Sequence, residues 1–131
     1  PLSMQKNPFY HNVIDEISTF FKEQVKKLDK KGFPLSKIIL DPGIGFGKNL
    51  QHNLKILKNI DIICNLGCHT LIGTSRKSFI GDLLKCPPEK RLEGTISSNL
   101  YAIIQGVKII RVHDVLEVRK ALTILEKILK A

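Results

Sequence analysis

One stretch of the sequence places a carboxylate and a glycine-rich loop directly after a short apolar run. Residues 38–40 are Ile-Ile-Leu, which predicts a strand buried on both faces, and Pro42 should end it because proline has no N–H for a ladder. Asp41 then lies at the carboxyl end of a buried strand, where α/β folds bind ligands. The G-x-G-x-G spacing that follows fits neither a dinucleotide fingerprint nor a P-loop. This stretch alone leaves both a tight turn and a ligand site open.

A second polar stretch, GTSRKSFIG, runs from Gly73 to Gly81 and follows another apolar run. Its small residues would let the backbone approach a ligand, and Lys77 offers a compact ammonium group with three hydrogen-bond donors. The alternative interpretation is the start of a helix whose charged side chains are solvated.

A third stretch, Arg111-Val112-His113, ends the last apolar run. A period of two places the guanidinium and the imidazole on the same face, with Val112 on the other. These groups at the carboxyl end of a strand, beside a helix N-terminus, suit an oxyanion or a phosphate. A histidine there can also be purely structural, but its pairing with Arg111 favours anion binding.

Helices and strands alternate along the chain in a way that would bring these three stretches together. Apolar periodicity predicts strands starting near residues 37, 69 and 108 and helices over about 12–29, 50–60, 87–104 and 114–129. Asn49, Gly106 and an Asp114/Glu117 capping box are the expected helix ends. The predicted fold is α/β, with three parallel strands and four helices, either as a doubly wound sheet or as part of a (β/α)₈ barrel.

Composition excludes several classes of function. The chain of 131 residues is 43% hydrophobic, with no apolar run long enough for a membrane span, and no signal peptide is recognisable at its start. The net charge of +9 is accompanied by only 6% aromatic residues, which favours a solvated basic surface or an anionic substrate over nucleic acid. Cys64, Cys68 and His69 match no standard zinc spacing, and reduced thiols in a cytoplasmic protein are the preferred interpretation.

Four segments closely resemble dihydropteroate synthases, in the same order and at suitable separations: DPGIGFGKN (41–49), GTSRKSFIG (73–81), RLEGT (91–95) and IIRVHDV (109–115). The opening PLSMQKNPFY also resembles the end of the motif that follows the fifth strand of that family. The resemblance covers essentially the whole chain. It implies the C-terminal portion of a (β/α)₈ TIM barrel, with residues 1–131 forming one partial pterin-binding domain that lacks the N-terminal half.

The resemblance also implies an activity: a transferase of folate biosynthesis that condenses a dihydropterin diphosphate with p-aminobenzoate and releases pyrophosphate. Asp41 would bind the amino-pyrimidine edge of the pterin, and Gly45 and Phe46 would lie along its ring. Gly73 would give the pterin room, while Lys77 would donate to it from the other side.

The remaining implied contacts concern the second substrate and the leaving group. Ser75 and Arg76 would flank p-aminobenzoate, where sulfonamides compete, and Arg111 and His113 would bind the departing diphosphate. The implied catalytic residues are Lys77, Arg111 and His113. No metal ligand is assigned in this chain, because the resemblance places the Mg²⁺ ligand in the missing N-terminal half.

A homodimer is implied for the whole protein, and no nucleic-acid or membrane partner. Two alternatives stay open at this point: a pterin-dependent methyltransferase barrel, and a non-catalytic half-barrel module that needs a partner chain. Activity of the isolated chain is not expected.

Overall fold

The computed structural model describes residues 9–131, so expectations for residues 1–8 lie outside the described part. A helix precedes the first strand, and each strand is followed by one or two helices. The strands are β1 (Ile39–Leu40), β2 (His69–Ile72) and β3 (Ile109–Ile110). The helices are α1 (Val13–Lys30), α2 (Leu50–Lys58), α3 (Ile60–Cys64), α4 (Ser78–Leu84), α5 (Leu92–Ile104) and α6 (Val115–Leu129), with 3₁₀ turns at Leu35–Lys37 and Pro88–Lys90.

The three strands form one parallel sheet in the order β1-β2-β3. Leu40 pairs with Thr70, and Ile72 pairs with Ile110, so the three carboxyl ends meet at one edge. The larger helices pack in sequence, α1 on α2, α2 on α4, α4 on α5 and α5 on α6. This arrangement confirms the predicted α/β class with parallel strands.

The core lies between the sheet and these helices. Leu40 and Ile72 project into it from the strands, and Ile56 and Ile60 contribute fully buried side chains from α2 and α3. The expectation that residues 38–40 are covered on both faces is wrong for Ile39, whose side chain is 53% exposed. Successive strand residues face opposite sides, and the described residues supply helices against only one face of β1.

The described chain contains six α-helices rather than the four predicted. The helix expected over about 50–60 is divided at Asn59, which ends α2 and begins α3. The helix α4 occupies a stretch that apolar periodicity did not mark as helical, because it has only seven residues and carries Gly81 in its middle. No helix of the described residues is long and apolar enough to cross a membrane.

Two of the three predicted helix ends are confirmed. The side chain of Asn49 accepts a hydrogen bond from the His52 backbone N–H at 2.8 Å, and Gly106 follows α5 with φ 108°. The capping box at α6 is wrong: Asp114 precedes the helix but makes no side-chain capping bond, because its carboxylate pairs with Arg76 instead.

Candidate functional site

A cavity of about 410 Å³ opens where β2 and β3 end. Its lining comes from the two stretches that follow these strands: Gly73, Ser75, Lys77, Arg111, Val112 and His113. The parallel register places both strand ends at the same edge, as the sequence predicted. Five of the nine predicted site residues therefore line one cavity.

The glycine loop after β1 contacts Lys77, which is one of the residues that line this cavity. A Cβ atom built on Gly45 would lie 3.1 Å from Cδ of Lys77, so the lysine side chain runs directly over the glycine. The ammonium group lies 4.1 Å from the centroid of the Phe46 ring, which is cation–π distance. The backbone φ angle of Gly45 is 82°, a conformation that residues other than glycine rarely adopt. The structure thus joins Gly45, Phe46 and Lys77 into one cluster.

Close contacts also join the ends of β2 and β3. A Cβ atom on Gly73 would lie 3.4 Å from Nε of Arg111, so the guanidinium passes over the glycine backbone. Ser75 Oγ lies 2.8 Å from Nδ1 of His113 and accepts a hydrogen bond from the His113 backbone N–H at 3.1 Å. Ser75 is buried, and these two contacts of its hydroxyl group link the ends of β2 and β3.

Positive charge is concentrated in the cavity. Burial lowers the pKa of Lys77, the nearby charge of Arg111 lowers it further, and Asp41 opposes both effects. Because Arg111 disfavours the charged form of Lys77, an anion bound beside both side chains would relieve that repulsion. The cavity can therefore hold an anionic group by charge and by hydrogen bonds from Ser75 or His113.

Asp41 lies next to this cluster in the loop after β1. Its Oδ1 accepts a hydrogen bond from the Gly43 backbone N–H at 2.9 Å, which closes the turn after the strand. Its charge also acts on the lysines at 48 and 77, opposing the lowering of their pKa values. Asp41 is exposed, so its carboxylate is available to a ligand at the edge of the cavity.

Two residues that sequence reasoning missed hold the glycine loop in shape. Lys48 donates from Nζ to the carbonyl oxygens of Gly43, at 3.1 Å, and Phe46, at 2.9 Å. Asn53 accepts a hydrogen bond at 2.8 Å from the Gly45 backbone N–H and is almost completely buried. A polar residue on the otherwise apolar face of a predicted helix was the available signal for Asn53.

The side chain of Arg76, another predicted site residue, pairs with Asp114 and does not line the cavity. Its Nε donates to Oδ2 of Asp114 at 3.1 Å, and its Nη2 bonds the other carboxylate oxygen. This pairing raises the pKa of Arg76 and lowers that of Asp114. Arg76 is not among the residues that line the cavity, and its role beside p-aminobenzoate stays a prediction.

The described residues do not form a site for a metal ion. Within residues 9–131, no group of three or more His, Cys, Asp or Glu side chains is placed to hold one. Asp41 is the acidic residue whose charge raises the pKa of Lys77, and its carboxylate already accepts a hydrogen bond from the Gly43 backbone N–H.

Comparison with known proteins agrees with this geometry. The family model described as "Pterin binding enzyme" matches residues 1–113. The dihydropteroate synthase of Escherichia coli K12 is 41% identical over 131 residues, which are 100% of this chain and 46% of that protein. That of Bacillus subtilis is 38% identical over 120 residues, 92% of this chain and 42% of the relative. The chain thus spans under half the length of these relatives.

Solved structures extend the similarity to three dimensions. Yersinia pestis dihydropteroate synthase in complex with a sulfonamide drug matches with a TM-score of 0.92 and 38% identity, over 98% of this chain and 47% of the other. Two structures of the Thermus thermophilus enzyme match at 39% identity and cover 97% of this chain. The complex with 4-aminobenzoate has a TM-score of 0.90, and the match covers 51% of that chain. The complex with 6HMPPP has a TM-score of 0.89, and the match covers 50% of that chain. The neighbours are TIM barrels, so the three strands correspond to part of such a barrel. The chain therefore belongs to the family of pterin-binding enzymes.

Proposed function

We propose that this chain is the C-terminal part of a dihydropteroate synthase, which joins a dihydropterin diphosphate to p-aminobenzoate and releases pyrophosphate. The observation that carries the proposal is the cavity at the ends of β2 and β3, where Lys77, Arg111 and His113 surround one volume. Relatives that match the whole described chain carry this activity in their names, and two solved relatives are complexes with 4-aminobenzoate and a sulfonamide drug.

The proposed chemistry is electrostatic. The bond between the pterin methylene carbon and the diphosphate oxygen breaks, and the electron pair leaves with the diphosphate. The arylamine nitrogen of p-aminobenzoate then forms the new C–N bond and loses a proton. Arg111 and His113 would stabilise the negative charge that develops on the leaving group, which is the role of preorganised donors in such a transition state. No covalent intermediate with the protein is needed.

The pterin would lie at the strand ends, beside the contact between the glycine loop and Lys77. Asp41 would accept hydrogen bonds from the amino-pyrimidine edge, because a carboxylate can accept from two neighbouring donors. The lack of a side chain at Gly45 and at Gly73 makes room for Lys77 and Arg111, and these two side chains would shift where a pterin ring lies against the glycine backbone. Lys77 lies against Gly45 and also lines the cavity, so it can donate to a pterin and remain near its diphosphate.

A direct test is dihydropteroate formation from the pterin diphosphate and p-aminobenzoate by the whole enzyme. We expect turnover that depends on p-aminobenzoate and is inhibited by sulfonamides. Turnover of a pterin with a methyl donor and no need for p-aminobenzoate would show a methyltransferase instead.

The isolated chain of residues 1–131 should be inactive, because Ile39 and its neighbours on the open face of the sheet lack a covering layer. Rapid turnover by a monodisperse isolated chain would contradict that expectation.

Assembly and location complete the proposal. We propose a homodimer, supported by a groove of about 550 Å³ between α2, α4 and α5. The apolar side chains of Leu83, Leu84 and Tyr101 line it and are 41–52% exposed. Leu84→Asp should reduce the mass measured by light scattering to that of a monomer.

A cytoplasmic location is supported by the three free cysteines at positions 64, 68 and 86. Mg²⁺ is expected to bind through the part of the enzyme that precedes this chain.

A further inference from the structure

The backbone of Arg76 has an unusual conformation beside the cavity. Its φ is 57°, in the left-handed region that residues with a side chain rarely adopt. Arg76 stands between Ser75 and Lys77, and both of these neighbours line the cavity. The left-handed conformation at position 76 therefore decides how the chain turns between two residues of the site.

Both backbone polar groups of Arg76 are held by residues outside the cavity. The N–H donates to Oγ1 of Thr95 at 3.1 Å, and the carbonyl oxygen accepts from Nη1 of Arg91 at 2.9 Å. Thr95 is completely buried in the first turns of α5, and Arg91 directly precedes that helix. Neither side chain lines the cavity.

The guanidinium of Arg91 is itself tightly seated. Its Nε and Nη2 each donate to the carbonyl oxygen of Cys86 at 3.2 Å, so one side chain joins two segments of backbone. A Cβ atom on Gly81 would overlap this guanidinium, which explains why the position in α4 holds a glycine. A further bond, from Ser98 Oγ to Thr74 Oγ1 at 2.8 Å, ties α5 to the same loop. The beginning of α5 thus acts as a rigid support for the loop after β2.

We propose that Thr95 and Arg91 are positioning residues that hold Arg76 in its left-handed conformation and thereby direct Ser75 and Lys77 to the cavity. The inference deepens the proposed function and rests on it for the identity of the substrates. It assigns a role to the segment RLEGT and to Gly81, which touch no substrate in that proposal. Loss of the Thr95 hydroxyl should loosen the loop and change the contact between Ser75 and His113.

The test compares Thr95→Val with Thr95→Ser in the whole enzyme. Valine keeps the volume and removes the acceptor, whereas serine keeps the acceptor and removes a methyl group. Thr123→Val is the matched control, because the Thr123 hydroxyl bonds a backbone carbonyl on the exposed side of α6. The first readout is kcat/KM for p-aminobenzoate. The second is the ¹⁵N signals of the His113 ring in ligand-free enzyme, which report its contact with Ser75.

We expect Thr95→Val to lower kcat/KM about tenfold, as for loss of one buried hydrogen bond, and to shift the His113 signals. Thr95→Ser and Thr123→Val should change neither. The proposal is overturned if Thr95→Val leaves both readouts unchanged, or if Thr95→Ser loses as much activity as Thr95→Val. If Thr95→Val does not fold, Arg91→Lys replaces it, because an ammonium lacks the fork that serves both carbonyl oxygens. An inactive wild type would refute the proposed function, while the His113 signals would still decide this inference.

Discussion

Replacing Gly45 by alanine should weaken anion binding through its effect on Lys77. The new Cβ would lie 3.1 Å from Cδ and 3.5 Å from Nζ of the lysine, and the first distance is shorter than ordinary contact. The side chain would have to retreat by a few tenths of an ångström. Because Lys77 lines the cavity, that retreat should lengthen its hydrogen bond to a bound anion.

The matched control is Gly32→Ala. Gly32 has φ 84°, close to the 82° of Gly45, but a Cβ there would meet nothing within 4 Å. Both variants therefore carry a similar backbone cost of about 1–2 kcal/mol in the free energy of unfolding. Only Gly45→Ala moves Lys77. Partial loss of a charged hydrogen bond should cost about 1 kcal/mol in binding, or about fivefold in Kd.

Calorimetry with inorganic pyrophosphate is the assay, since that probe does not touch the pterin subsite where Gly45 itself would contact a ligand. Chemical unfolding of the same samples measures the backbone cost. The reasoning is refuted if the two variants lose equal stability and bind pyrophosphate equally well. An equal loss of affinity in both would show that general loosening, and not the Lys77 contact, controls binding.

Three further predictions concern pH and helix ends. Since the pKa of Lys77 is lowered from 10.5, pyrophosphate affinity should fall as pH rises through that lowered value, whereas Lys77→Arg, measured by the same calorimetry, should show no such fall. Asn49→Ala should reduce the free energy of unfolding by about 1 kcal/mol, and Asn65→Ala, at an exposed position whose side chain caps no helix, by less. Because Arg76 lowers the pKa of Asp114 below 3.8, this pair stabilises the fold above that pH and the effect disappears as pH falls through the lowered value. The stability difference between wild type and Asp114→Asn should therefore shrink in acid.

The elements most accessible to sequence reasoning were those with long apolar periodicity or a clear cap. The helix α1 and the strand β2 were predicted within about one residue, and Asn49 was identified as a cap from its type alone. The start of a helix was only the alternative interpretation of residues 73–81, because α4 is short and its stability comes from packing of Phe79 and Ile80 into the core. Tertiary contacts of that kind leave no periodic signal in seven residues.

The candidate site shows a similar division. The convergence of Gly73, Lys77 and Arg111 followed from one rule, that parallel strands end at the same edge of a sheet. The support of the loop from α5 could not be predicted, because Thr95 acts on the backbone of a residue 19 positions away. The ion pair of Arg76 likewise depends on the distance between two loops, which spacing along the chain does not give.

The most direct test of the account compares two ligands on Arg111→Gln in the whole enzyme. Arg111 lies over Gly73 and lines the cavity proposed to hold the diphosphate. Calorimetry should show that this variant loses affinity for the pterin diphosphate by about 2 kcal/mol, as for a charged hydrogen bond, while it binds the corresponding plain pterin almost as tightly as wild type. Equal loss for both ligands, or no loss for the diphosphate, would contradict the assignment of the cavity to the leaving group.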